Sequence, residues 1–286
     1  MNELIFVSSG GSKKGTLNFI EGCYKIGIYN IELSSGDLIN IEGIIKSAEK
    51  KNLTIQAHNY FPPLENNYII NLAKPDLLND KYFNKILNSQ IIIANQFKRK
   101  FLHFHAGYCI DLRAKDLGSE NLNLKITDRN ECINNFYENV SYINSVIKRH
   151  GLSLLIENNV LNSALFNKFK QNPFLCCDPE ETLEIFKNKN LDINLLLDLA
   201  HLKVSSNSMG FDFFKAVKLL APITQAVHIS DNDGKRDSNE TFNEQSDVLH
   251  ALKLLDDLNF ITVEVYNDDL DVLKKQIDLV KKIRKN

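Results

Sequence analysis

Residues 193–201 read INLLLDLAH. The first five form a short β-rich apolar run, which reads as a strand. The run stops on Asp198, and His201 follows three residues later. An apolar strand that ends on an acid carries polar chemistry to one edge of a sheet. The fold turns on how often this unit recurs.

It recurs throughout. Eight β-rich runs are legible: Leu4–Ser8, Asn30–Leu33, Leu53–Ala57, Phe101–His105, Leu152–Ile156, Ile193–Leu197, Ala226–Ile229 and Phe260–Val265. Between them lie amphipathic stretches with apolar residues three and four apart: Thr16–Lys25, Ile41–Lys50, Lys81–Lys98, Asn130–Arg149, Pro179–Lys187, Gly210–Leu220, Asp247–Leu258 and Leu270–Arg284. Strands alternating with helices imply a parallel sheet. Eight β/α units in 286 residues, near the usual ~250, predict an α/β fold of the (β/α)₈ TIM-barrel type. An open doubly wound sheet is the runner-up, but no GxGxxG follows the first strand. No Gly/Ser/Pro linker, low-complexity tract or short-period repeat divides the chain, so residues 1–286 are expected to form one domain.

Composition narrows the partners. A hydrophobic content of 43% is enough for a full core, and 34 Lys+Arg against 36 Asp+Glu leave a net charge of −2. No basic field collects nucleic acid, and no polybasic run addresses a membrane. The opening MNELIFVSSGG carries an early acid and too short an apolar run for a secretory segment. No stretch approaches the roughly 18 apolar residues of a membrane span. Five cysteines without a CxxC pair predict neither a disulfide framework nor a thiolate zinc site. A cytoplasmic protein is the expectation.

In a barrel, active sites sit at the C-terminal ends of the strands. The third through eighth strands end in His58, His105, Glu157, Asp198, His228 and Glu264. His103 points to the same side two residues deeper and is expected to be a hydrogen-bonded interior residue. Clustered carboxylates repel each other and resist burial, and a divalent cation relieves both penalties. Mixed imidazole and carboxylate donors without sulfur suit zinc or manganese.

With these residues in place, the chain from Leu4 to about Arg284 resembles the xylose isomerase-like TIM barrels, a superfamily that includes ketose 3-epimerases, hydroxypyruvate isomerase and endonuclease IV. In the epimerase and isomerase branches, Glu, Asp, His and Glu from strands five to eight hold one metal. The resemblance places these at Glu157 (IENN), Asp198 (LLLDLAH), His228 (AVHISD) and Glu264 (VEVY). It further implies that Glu157 and Glu264 are catalytic, moving a proton through an enediolate from opposite faces of the substrate. The implied cofactor is one divalent metal, manganese or zinc, with cobalt or magnesium as options and room for a second ion.

His58, His105, His201 (in the family's DxxH element) and Asp237 are candidates for an additional metal or for substrate. Lys203, Arg236, Tyr60 and Tyr108 are candidate substrate contacts. The implied partner is a small carbohydrate, and the resemblance leaves a homo-oligomer open.

Endonuclease IV, a zinc-dependent apurinic/apyrimidinic endonuclease, is the alternative. AHNY resembles its histidine element, and HAGY its His-Pro-Gly with Ala106 in place of proline. Its Asp-x-His after strand seven is here Asp237-Ser238-Asn239, and a carboxamide is a weak zinc donor. A sugar or sugar-phosphate isomerase/epimerase is therefore the leading expectation. A non-catalytic barrel serving as a binding subunit is the third.

Overall fold

The computed structural model describes residues 3–34, 41–59, 61–63, 68–113, 124–188 and 191–285. Eight strands run parallel: β1 (Leu4–Ser8), β2 (Asn30–Leu33), β3 (Thr54–Ala57), β4 (Phe101–His105), β5 (Ser153–Glu157), β6 (Ile193–Asp198), β7 (Thr224–Ile229) and β8 (Phe260–Val263). They hydrogen-bond in the order β3-β2-β1-β8-β7-β6-β5-β4. Among the described residues ten α-helices surround them: α1 (Thr16–Lys25), α2 (Ile41–Lys50), α3 (Lys81–Gln96), α4 (Arg129–Ile147), α5 (Ser163–Phe169), α6 (Pro179–Phe186), α7 (Leu199–Met209), α8 (Phe213–Leu220), α9 (Asp247–Ala251) and α10 (Leu270–Arg284). This is a (β/α)₈ barrel, nearly closed. Among the described residues no backbone ladder joins β3 to β4. Imidazoles bridge that seam instead: the His58 ring lies 5.4 Å from His103 and 5.5 Å from His105, centroid to centroid.

Two helices escape the apolar periodicity. In α7, LAHLKVSSNSM buries Ser205 and Ser206 together with Ala200, His201, Leu202 and Val204. Small hydroxyl residues fill buried positions there, so no apolar stripe marks it. The short α5 buries only Leu165 along its length. The helix expected over Gly210–Leu220 begins three residues later. Gly210 ends α7 with φ 81, a left-handed conformation that glycine adopts without strain, and α8 begins at Phe213. The helix expected over Asp247–Leu258 ends at Ala251 and continues only as a 3₁₀ turn, Leu252–Leu254.

The core is layered. Phe6, Leu155, Leu196, Ala226 and Phe260 close the lower barrel, with Phe6 and Phe260 edge to face at 5.9 Å. The Arg99 guanidinium caps this layer, 4.8 Å from the Phe6 ring centre. Larger apolar clusters pack the helices on the outer faces of the strands. Above the phenylalanines the interior becomes polar, with Glu32, Gln56, His103 and Thr262 all buried. That change of character marks the floor of the candidate site. All five cysteines are buried and free. No helix among the described residues is long and apolar enough to cross a membrane.

Candidate metal centre

Glu157, Asp198, His228 and Glu264 converge above this floor. Each offers one ligand atom within 4.8 Å of the others. The register explains why: Asp198 stands opposite His228 in the β6–β7 ladder, and Glu264 follows the end of β8, its N–H bonded to the carbonyl of Ile229. Glu157, Asp198 and His228 are wholly buried, and Glu264 is 6% exposed.

Asp198 is both the last residue of β6 and the N-cap of α7. Its Oδ1 accepts from the backbone N–H of His201 at 2.7 Å, which removes one orphan donor of the helix terminus. Asn158 clamps the Asp198 backbone from both sides: its Oδ1 accepts from the Asp198 N–H, and its Nδ2 donates to the Asp198 carbonyl. The second carboxylate oxygen accepts no hydrogen bond, and His201 Nε2 lies 3.9 Å from it. Indeed Asp198 Oδ2, Glu157 Oε1 and His228 Nδ1 are all buried without a hydrogen bond. His228 Nδ1 lies 3.0 Å from Glu264 Oε2 and 3.4 Å from Glu157 Oε1. Buried polar atoms left unsatisfied cost about 1–3 kcal/mol each, and here three converge on one point. That is the donor set a divalent cation needs, so the residues fit the metal.

The ionisation of the cluster points the same way. Burial pushes the Asp198 carboxyl up to about 7, with Asp237, Glu264 and Glu157 adding to the rise against His201. Burial opposes ionisation of Glu157 too, but His105, His228 and His58 override it and hold the carboxyl well below its usual range. Burial disfavours the charged His228 ring, yet Glu32, Glu157 and Glu264 raise it well above the ordinary imidazole value.

A second group adjoins the first. His58 Nε2 is 3.0 Å and His105 Nδ1 3.6 Å from Glu157 Oε2, and these three residues form another metal-compatible set that shares Glu157. Burial brings His105 down to about 3, a neutral ring suited to ligation.

The third group differs. His201 Nδ1 lies 2.9 Å from the carbonyl of Asn158, and its Nε2 is 3.2 Å from Asp237 Oδ2. Asn239 then donates through Nδ2 to Asp237 at 3.3 Å and accepts from Ser230 Oγ at 3.1 Å. Its own backbone is left-handed at φ 49, which asparagine tolerates better than most residues. His201 and Asp237 enter no metal-compatible set among the described residues.

Of the candidate substrate contacts, Lys203 gives its ammonium to Asp231 Oδ1 at 2.6 Å and to the Asn232 carbonyl at 2.9 Å. Arg236 is exposed on the loop after β7. Tyr108 is buried, its ring 5.4 Å from that of Phe174. Tyr60 lies outside the described residues. His103 is interior, as its position implies, but its Nε2 makes no hydrogen bond, and Glu32 Oε2 is 3.7 Å away. Two residues join the site unannounced. Glu32 is wholly buried beside His228; the signal was a charge between the apolar Ile31 and Leu33. Tyr266 stands at the rim after Glu264, so close to Gly11 that a Cβ there would meet its Cα at 2.4 Å.

A barrel whose strand ends assemble carboxylates and imidazoles around a cation-sized point defines a broad class. Within that class, the family model described as xylose isomerase-like TIM barrel matches residues 22–283, and the chain belongs to that family. Among solved structures, a D-tagatose 3-epimerase-like protein superposes with a TM-score of 0.70 at 19% identity, covering 98% of both chains. A family 2 AP endonuclease from Brucella melitensis superposes at 0.66, 14% identical, over 94% of this chain and 95% of its own. D-psicose 3-epimerase from Clostridium cellulolyticum H10, solved with D-tagatose, superposes at 0.63, 14% identical, over 99% and 98%. At such identities the likeness is one of fold. No curated protein matches the sequence.

Proposed function

We propose that this protein is a divalent-metal-dependent isomerase or epimerase of a sugar or sugar phosphate. The observation that carries the reading is the clustering of Glu157, Asp198 and His228 beside Glu264, with Glu157 Oε1, Asp198 Oδ2 and His228 Nδ1 each buried without a hydrogen bond. A divalent ion held by these four residues, manganese or zinc by the donor chemistry, would polarise a substrate carbonyl oxygen.

The protein's own part is the proton. A carbon acid next to a carbonyl needs a carboxylate base within hydrogen-bond reach. Glu157 and Glu264 both lie against His228 Nδ1, and they come from non-adjacent strands, with β6 and β7 between them. Two carboxylates set on different sides of one site can take a proton from one face and return it to the other, which inverts the carbon. One acting alone gives aldose–ketose transfer. Asp198 spends Oδ1 on the capping bond of α7, which leaves one oxygen, Oδ2, for the ion. Similarity in fold to epimerases supports the reading.

The test is chelator-treated protein reloaded with manganese, zinc or cobalt and assayed on a panel of ketoses and their phosphates. Turnover that returns with metal and disappears in E157Q and E264Q is the expected result. Metal-loaded protein inert on the whole panel would overturn the reading.

The His58–His105–Glu157 group favours a second reading, an apurinic/apyrimidinic endonuclease, and nicking of abasic duplex DNA tests it. Against it, Asn239 donates to Asp237 Oδ2 where that chemistry expects a further ligand, and a carboxamide is a weak zinc donor. In either reading we place the protein in the cytoplasm, with a small carbohydrate as the partner of the first.

A further inference from the structure

Glu32 is a carboxylate wholly buried in the barrel, below the cluster assigned to the metal. Both donors that hold it are uncharged, and both bond one oxygen. Gln56 Nε2 and Thr262 Oγ1 donate to Oε2, the latter at 2.8 Å. Gln56 stands opposite Glu32 in the β2–β3 ladder, and Thr262 opposite His228 in the β7–β8 ladder. The other oxygen, Oε1, has no well-directed hydrogen bond and lies 3.0 Å from His228 Nε2, which also has none.

These contacts separate two roles. Glu32, His58 and His103 could in principle surround an ion themselves. However, Oε2 already accepts two donors, and His58 Nε2 faces Glu157 Oε2 at 3.0 Å. Only Oε1 remains, and it faces a ring nitrogen. An imidazole that ligates a metal is neutral, with one N–H and one lone pair, so whatever engages one nitrogen decides what the other presents.

We propose that Glu32 is a positioning residue: its Oε1 is the acceptor toward which His228 keeps the proton on Nε2, and this leaves Nδ1 as a lone pair turned toward the metal position. With the tautomer reversed, the Nε2 lone pair would face a fully buried carboxylate oxygen with nothing between them, a contact no neighbour relieves. With the tautomer as proposed, the acceptor–acceptor contact falls between Nδ1 and Glu264 Oε2, where a cation resolves it. Carboxylates behind ligating histidines act in this way in metal sites generally, and removing one weakens metal affinity about 10- to 100-fold. The inference rests on the metal reading above and names the group that orients its histidine.

The experiment is a titration of the metal-depleted full-length protein with cobalt(II), followed by calorimetry and by visible absorption, with the melting temperature of the metal-free form as a fold control. E32Q is expected to bind about 10- to 100-fold more weakly, with a changed cobalt spectrum and a metal-free melting temperature close to wild type. Should E32Q fail to fold, T262V, which removes one of the two donors holding Glu32, carries the test with a smaller loss in the same direction. If the foldable variants bind cobalt within twofold of wild type with an unchanged spectrum, while H228A has lost it, Glu32 is only a structural group and the inference is overturned. If wild-type protein itself binds no cobalt, the metal reading fails first, and the inference falls with it.

Discussion

Two corners of the same barrel mouth hold the same kinds of residue and resolve their charges in opposite ways. At one corner Glu157, Asp198, His228 and Glu264 leave three buried polar atoms unsatisfied around a single point. At the other, His201, Asp237, Asn239 and Ser230 hand hydrogen bonds along a chain within the protein. Residue type alone does not make a metal site. What distinguishes the corners is how far the donors satisfy one another: at the second, His201 and Asn239 both engage Asp237 Oδ2, and Asp237 Oδ1 is the one carboxylate oxygen left without a hydrogen bond.

That contrast can be broken or sharpened by experiment. The largest effect is expected for H228A or D198A, which remove an unsatisfied ligand. Metal affinity should fall by more than about 100-fold, beyond the loss typical of a supporting residue, as read by competition with a chelator. Next, E157Q and E264Q should each lower kcat by about 10²- to 10⁴-fold, the range for loss of a general base. A loss confined to KM would contradict their role. Metal should also stabilise the fold: at 100 times its dissociation constant an ion contributes about 2.7 kcal/mol, which raises the melting temperature by roughly 5 °C or more. Calorimetric scans with and without metal check this. The smallest effect belongs to the second corner. N239A should cost about 1–3 kcal/mol in denaturant stability for its lost hydrogen bonds while leaving the number of bound ions unchanged. A fall in that number would erase the distinction between the two corners.

The barrel was legible because its strands are continuous apolar runs and its helices carry apolar stripes. It failed to be legible in α7, whose buried serines mimic a polar loop, and in α5, which buries one leucine. The convergence of Glu157, Asp198, His228 and Glu264 follows from strand ends alone, because a parallel barrel brings every such end to one rim. Glu32 and Tyr266 were harder. Glu32 precedes the end of its strand, and reaching His228 means crossing the barrel interior, a distance no linear pattern records. The engagement of Lys203 with Asp231 was also hidden, since a lysine near a site reads as a substrate contact until its partner is seen. Tyr108 likewise reads as a pocket wall, whereas its ring packs on Phe174 beneath the surface.

The central claim is that the unsatisfied corner exists to hold a cation. Titration of metal-depleted protein with manganese, zinc and cobalt tests it most directly, with bound metal counted per chain beside H228A as the control. Wild-type protein is expected to bind at least one ion per chain saturably, and H228A to lose that binding. Failure of the wild-type chain to bind any of the three, or equal binding by H228A, would contradict it.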